Sequence, residues 1–264
     1  METPMSDRPT ALVTGASAGL GAEFAAQLAA RGHDLVLVAR SADRLHALAD
    51  RLRQAHGVKV DVVVQDLSAP DAADSIAARL RGPVHTLVNN AGFGTAGRFE
   101  DIPEGHDQEQ LMVNVVALVG LTRALVPGML EAGSGAVVNV GSTAGFQPSP
   151  YFATYSAGKA FVLNFSLALR REYRGRGIKV LALCPGPTET SFFDRVTPRA
   201  ALGGRMMSAE TVVRAGLDAL DRDRAYLAPG LRNALNAHLV PRRPRRLVAA
   251  IAERVTRSVL QPHH

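Results

Sequence analysis

Short apolar runs alternate along the chain with longer stretches whose apolar residues recur at helical spacing. Residues 10–14, 34–39 and 135–140 are compact apolar runs bounded by turn residues, the pattern of strands buried on both faces of a parallel sheet. Runs near 58–64, 84–89, 178–184 and 224–228 read the same way. Between the first two runs, Leu20, Phe24, Ala25 and Leu28 share one helical face, and residues 106–132 and 152–174 read as two long helices. This alternation predicts an α/β domain, a doubly wound parallel sheet with helices on both faces. The end of the chain has a different texture. Leu247, Val248, Ile251, Val255 and Val259 keep helical spacing, with Glu253, Arg254 and Arg257 elsewhere on the wheel. The expected organisation is one domain over 1–230 with a basic amphipathic helical extension over 231–264.

Charge sharpens that division. The net charge of the 264 residues is +6, and residues 231–264 alone hold seven Arg and one Glu. The remainder is balanced, so the cationic character belongs to the extension. Its run Pro241-Arg242-Arg243-Pro244-Arg245-Arg246 has no interleaved aromatic residue, which argues against nucleic-acid binding. A basic amphipathic helix suits an anionic membrane surface, and it equally suits packing on its own domain or on a second subunit. The N-terminus carries no basic-then-apolar signal, and no apolar run reads as long enough to cross a bilayer. The single Cys184 ends an apolar strand and cannot form an internal disulfide. These features predict a cytoplasmic protein, with membrane association through the tail as an alternative. No spacing suggests a metal site.

Three stretches carry chemistry. Tyr155 and Lys159 are i and i+4 on a predicted helix, so phenol and ammonium share a face. With four Tyr and three Lys in the chain, such a match is expected by chance only about 0.05 times. A nearby cation lowers a phenol's pKa, which suits proton exchange with an alcohol or carbonyl oxygen. A half-buried Tyr beside a snorkelling Lys is the plainer alternative. At the N-terminal end, the strand at 10–14 runs into Gly15-Ala16-Ser17-Ala18-Gly19-Leu20-Gly21 and then a helix, the context in which glycines and free helix N–H groups cradle a pyrophosphate. The second strand ends at Ala39-Arg40, with Arg44 one turn on. A carboxylate there would select NAD, whereas Arg accommodates the 2′-phosphate of NADP. Two solvated Arg are the alternative.

Asn89-Asn90-Ala91-Gly92, Ser142 placed 13 residues before Tyr155, and Pro185-Gly186-Pro187-Thr188-Glu189-Thr190 complete the set. With Thr14-Gly15-x-x-x-Gly19-x-Gly21 and Tyr155-x-x-x-Lys159, residues from about 8 to 228 resemble the compact subtype of the short-chain dehydrogenase/reductase family. The resemblance implies a Rossmann-type fold. It makes Tyr155 the general acid/base, Lys159 the group that lowers its pKa and binds the nicotinamide ribose, Ser142 a hydrogen-bond partner of the substrate oxygen, and Asn114 the holder of a water that relays protons to Lys159. Asp66, followed by Leu67, would contact the adenine. Asn90, Ala91 and Gly92 would line the cleft, and Pro185, Gly186, Thr188 and Thr190 would seat the nicotinamide. A homodimer or homotetramer is expected through the two long helices.

Phe93, Phe146, Tyr151, Phe192, Phe193 and Met206 flank these motifs and predict an apolar substrate pocket. The expectation is an NADP(H)-dependent oxidoreductase acting on a hydrophobic ketone, a 3-oxoacyl group or a steroid-like molecule. An NAD-dependent alcohol dehydrogenase is the second reading. A cofactor-binding regulatory or membrane-docking protein acting through the tail is the third, and the intact Ser142, Tyr155 and Lys159 speak against it.

Overall fold

A computed structural model describes residues 8–190 and 206–260, with side chains up to 257. In chain order the strands are β1 (Thr10–Thr14), β2 (Asp34–Ala39), β3 (Val60–Val64), β4 (Thr86–Asn89), β5 (Gly135–Val140), β6 (Ile178–Leu183) and β7 (Tyr226–Leu227). The helices are α1 (Gly19–Ala30), α2 (Ala42–His56), α3 (Ala72–Ala77), α4 (His106–Leu111), α5 (Ala117–Glu131), α6 (Ala153–Glu172), α7 (Ala209–Asp221), α8 (Leu231–Leu239) and α9 (Arg245–Leu260). The strands form one parallel sheet in the order β3-β2-β1-β4-β5-β6-β7. The order reverses between β1 and β4, and that switch point opens a crevice at the strands' C-terminal ends.

Strand periodicity builds both cores. Ala11 and Val13 of β1 join Leu35, Leu37, Leu181 and Leu183 under Phe24, Leu28, Leu45 and Leu217. Leu12 faces the other way, with Val36, Val38, Leu87 and Val180, under Ile76, Leu121 and Met129. Both faces are covered, which is why β2 is buried at all six positions and reads as an unbroken apolar run.

Strands β1, β2 and β5 have the expected bounds; the other four are shorter, β6 by one residue, since it ends at Leu183. β3 starts at Val60 because Lys59 donates its amide to the Asp34 carboxylate at 2.8 Å. β4 starts at Thr86, after His85 Nδ1 accepts the Thr10 amide at 2.9 Å. β7 pairs through two residues only, at the sheet edge. Another expectation needs correction. α4, a π-helical segment Met112–Val116 and α5 form one 26-residue helix with mean hydropathy 1.7 in its most apolar stretch, enough by length and composition to span a bilayer. Leu118, Leu121, Leu125, Val126 and Met129 of that helix are instead buried in the core or beside it.

Candidate active site

A cavity of about 880 Å³ runs along the C-terminal ends of the strands. At its centre is the turn after β1. Gly15 and Gly19 adopt φ of +65° and +55°, which side-chain-bearing residues rarely accept. Asn90 Nδ2 donates to the Thr14 carbonyl at 2.8 Å, and the amides of Asn90 and Ala91 both donate to Thr14 Oγ1 at 3.0 Å. β1 and β4 are thus clasped at the switch point. A side chain on Gly21 would strike the Gly15 carbonyl and Asn90 Nδ2, so Gly21 lets α1 close against the turn and does not itself line the cavity. Ser17, Ala18, Gly19 and Leu20 do line it. α1 starts with no side-chain cap and no acidic residue in its first turn, leaving its N–H groups and dipole available to an anion.

Toward the β2 edge, the cavity reaches Arg40, Arg44, Asp66 and Leu67. Arg40 stands 3.8 Å from Asp66 and 3.6 Å from Glu109, so its charge is shared with two carboxylates. The amide and hydroxyl of Ser68 both donate to Asp66 Oδ1 at 2.9 Å. The amide bond is the first cause holding the Asp66 carboxyl below its ordinary range, and Arg40 adds to it. The donors in the α1 turn, with two guanidiniums at the β2 end, fit a phosphate-bearing dinucleotide.

Toward β5 and β6 lie the proton-transfer groups. Ser142 follows β5 and caps the next turn, its Oγ accepting the Ala144 amide at 3.1 Å. It also hydrogen-bonds Tyr155, reached from the first turns of α6. Lys159 is buried one turn on; its Nζ donates to the Val140 carbonyl at 2.8 Å and stands 5.8 Å from the Tyr155 ring centre. The expected Lys-induced lowering of the phenol's pKa is not what this structure has. Burial pushes Tyr155 up to about 12, against a smaller opposing effect of Ser142, and pushes Lys159 down to about 8. Desolvation disfavours both charged forms and is the first cause of each shift.

Asn114 is buried in the π segment, behind the cavity wall. Its amide accepts from the Phe93 N–H at 3.1 Å and donates to the Phe93 carbonyl at 2.8 Å. Side-chain Asn114 therefore holds the Gly92–Phe93 backbone in place. Asn90, Ala91, Gly92, Phe93, Phe146, Pro185, Gly186, Thr188 and Thr190 line the cavity as expected. Two expected pocket residues do not. Tyr151, at φ +66°, faces a separate recess of about 200 Å³ and accepts a hydrogen bond from Arg257 Nε. Met206 is absent from the lining, and its neighbour Met207 forms an isolated parallel bridge with Thr188. Phe192 and Phe193 lie outside the described residues.

The extension supplies what no motif announced. Asn233, Asn236, Leu239 and Val240 enter the lining from α8 and its end. Asn233 packs on Gly186, where any side chain would collide with its amide. Leu247, Val248, Ile251, Ala252, Val255 and Thr256 present the apolar stripe of α9 to the same cavity. That stripe was readable; the direction it faces was not. α8 falls inside the expected helical extension, but the placement of its asparagines at the cavity carried no sequence signal.

A family model described as short chain dehydrogenase matches residues 9–201. The very-long-chain 3-oxoacyl-CoA reductase of Anas platyrhynchos is 35% identical over 218 residues, covering 76% of this chain and 70% of its own. Among solved structures, a short-chain dehydrogenase from Sphingobium yanoikuyae in complex with NADPH matches with a TM-score of 0.81 at 35% identity, over 97% of this chain and 98% of that one. The bulky-bulky ketone specific alcohol dehydrogenase from Comamonas testosteroni matches with a TM-score of 0.78 at 32% identity, over 98% and 97%.

Proposed function

The chain belongs to the short-chain dehydrogenase/reductase family, NAD(P)-dependent oxidoreductases acting on CH–OH or carbonyl groups, and on that premise we propose that it reduces bulky, apolar ketones with NADPH. The observation that carries this reading is the meeting of Ser142 and Tyr155 with the apolar stripe of α9 in one cavity. When bound, the nicotinamide would supply or accept the hydride. Tyr155 gives the proton to the carbonyl oxygen in reduction and takes it back in oxidation, and Ser142 orients that oxygen. Lys159, as the ammonium, opposes the burial cost of the phenolate left behind. Burial raises the Tyr155 phenol above its ordinary range and so keeps it protonated in the resting site.

Bulk is supported by the cavity wall and by the likeness to a bulky-ketone alcohol dehydrogenase along nearly the whole of both chains. NADPH is supported by Arg40 and Arg44 at the β2 end and by a relative solved with that cofactor. The sharing of Arg40 with Asp66 and Glu109 favours a second reading, in which NADH is also accepted and Arg44 carries most of the discrimination. Exposed Leu111, Val116 and Phe161, on the helices expected to pair, support a homo-oligomer.

Following NADPH oxidation over ketones graded from acetone to diaryl ketones tests the proposal. Turnover should rise with apolar bulk and be faster with NADPH than with NADH. A protein that reduces only small aldehydes, or none of the panel, would refute it.

A further inference from the structure

We propose that Arg243 reads an anionic group at the far end of the substrate, so that the preferred class is an amphipathic oxo acid: a ketone, an apolar body, then a negative terminus. The inference rests on the ketone-reductase reading above. Among the described residues lining the cavity, Asp66 is the sole carboxylate, and Ser68 and Arg40 already engage it. Four cations line the same cavity: Arg40, Arg44, Lys159 and Arg243. The first two stand at the end of β2, and Lys159 is tied to Val140 beside Tyr155. Arg243 remains. Its guanidinium has no hydrogen bond or ion pair with the described residues, unlike that of Arg242, which donates to the His238 carbonyl. The described part of the extension holds one acid, Glu253, and it is paired with Arg257. Among the described residues, no carboxylate pairs with Arg243.

Position in the fold says which ligand Arg243 can meet. It follows α8, whose Asn233 packs on Gly186 just after β6. Arg40 follows β2 and Arg44 lies in the first turn of α2, and β2 is four strand spacings from β6, or about 19 Å. A 2′-phosphate held beside Arg40 and Arg44 would sit across the switch point from the β6 end on which α8 packs. From Arg243 the wall of α9 runs through Leu247, Val248, Ile251 and Val255 to Arg257, which is bonded to Tyr151 in the loop before α6. A molecule lying along that wall has apolar contacts for its body and a cation at one end.

The test uses the full-length enzyme with saturating NADPH and phenyl oxoalkanoates of increasing chain length, each as the free acid and as its methyl ester. Wild type should prefer acids, with an optimum chain length that measures the span from Tyr155 to Arg243. In Arg243→Gln, kcat/KM for the acids should fall about fivefold through KM, the size of an ion pair still partly in water, while the esters change less than about twofold. Arg243→Lys should retain the preference, and added salt should narrow the acid–ester gap in wild type but not in Arg243→Gln. Equal losses for acid and ester, or a raised KM for NADPH in place of the ketone effect, would overturn the proposal. If no ketone is reduced, the reading beneath it fails instead. Calorimetric titration of the saturated phenylalkanoic acids into wild type and Arg243→Gln then decides the part of Arg243 alone: weaker binding to the variant supports it, and equal binding overturns it.

Discussion

The two ends of the cavity are built on different principles. The end formed by β1, β2 and β4 is short-range and backbone-defined. Two glycines at positive φ, a glycine that permits helix-to-turn contact, and the Thr14–Asn90 clasp leave little freedom. The end formed by β6, α8 and α9 is made of side chains on a late amphipathic extension, with few polar bonds to the body among the described residues beyond Arg257 to Tyr151. A site that must hold one invariant molecule benefits from backbone geometry, because sterics there admit few alternatives. A site that selects among molecules by bulk is set by replaceable apolar side chains, where one methylene changes discrimination only modestly. Substitutions at the first end should therefore act in an all-or-none way, and those at the second in a graded way.

The largest effect belongs to neither end but to the group between them. Tyr155→Phe removes the transferable proton and little volume, so kcat should fall about 10²- to 10⁴-fold while NADPH titration stays unchanged. Comparable activity in that variant would disprove the assignment. Next comes Gly21→Ala, whose Cβ would strike the Gly15 carbonyl. Overpacking against backbone predicts a stability loss of about 1–3 kcal/mol, read by chemical denaturation, together with a more than tenfold weaker NADPH affinity. Arg44→Ala should cost about tenfold in NADPH affinity and leave NADH nearly unchanged, since a charged hydrogen bond of about 1.5 kcal/mol is at stake. An equal loss for both cofactors would move the 2′-phosphate away from Arg44.

A smaller effect concerns pH. Lys159, with its pKa lowered to about 8, is an ammonium below that value and an amine above it. If reduction needs the ammonium, kcat/KM should fall as pH rises through about 8. Lys159→Arg keeps its charge to far higher pH. The fall should then move upward, toward the region where Tyr155, near 12, would lose its proton. A profile unchanged by the substitution would show that another group titrates.

Much of the first end was legible because its determinants are consecutive. Thr14, Gly15, Gly19, Gly21 and Asn90 fall in two short stretches, and the strands before them are apolar runs with clear stops. The bounds of β3 and β4 were harder, because single side chains, Asp34 and His85, take hydrogen bonds that a ladder would otherwise hold. The π segment that turns Asn114 toward Phe93 leaves no periodicity signal, since one extra residue per turn is invisible within an apolar helix. Tyr151 was expected in the pocket on proximity to Tyr155 alone; its positive φ sends it to the neighbouring recess. For α9 the stripe itself was plain, but the same spacing serves a membrane, a subunit or a cavity, and only tertiary packing distinguishes them.

The claim that α9 forms the substrate wall, separate from the cofactor end, is tested most directly by Ile251→Trp. Ile251 lines the cavity, yet about half of its surface is accessible, so a larger side chain can fill space there without disturbing the core. The measurement is kcat/KM over a size-graded ketone series at saturating NADPH, with the KM for NADPH determined alongside. The bulkiest ketones should lose at least tenfold, the smallest should change little, and the NADPH KM should stay within about twofold of wild type. A uniform loss across the series, or a loss confined to NADPH, would contradict it.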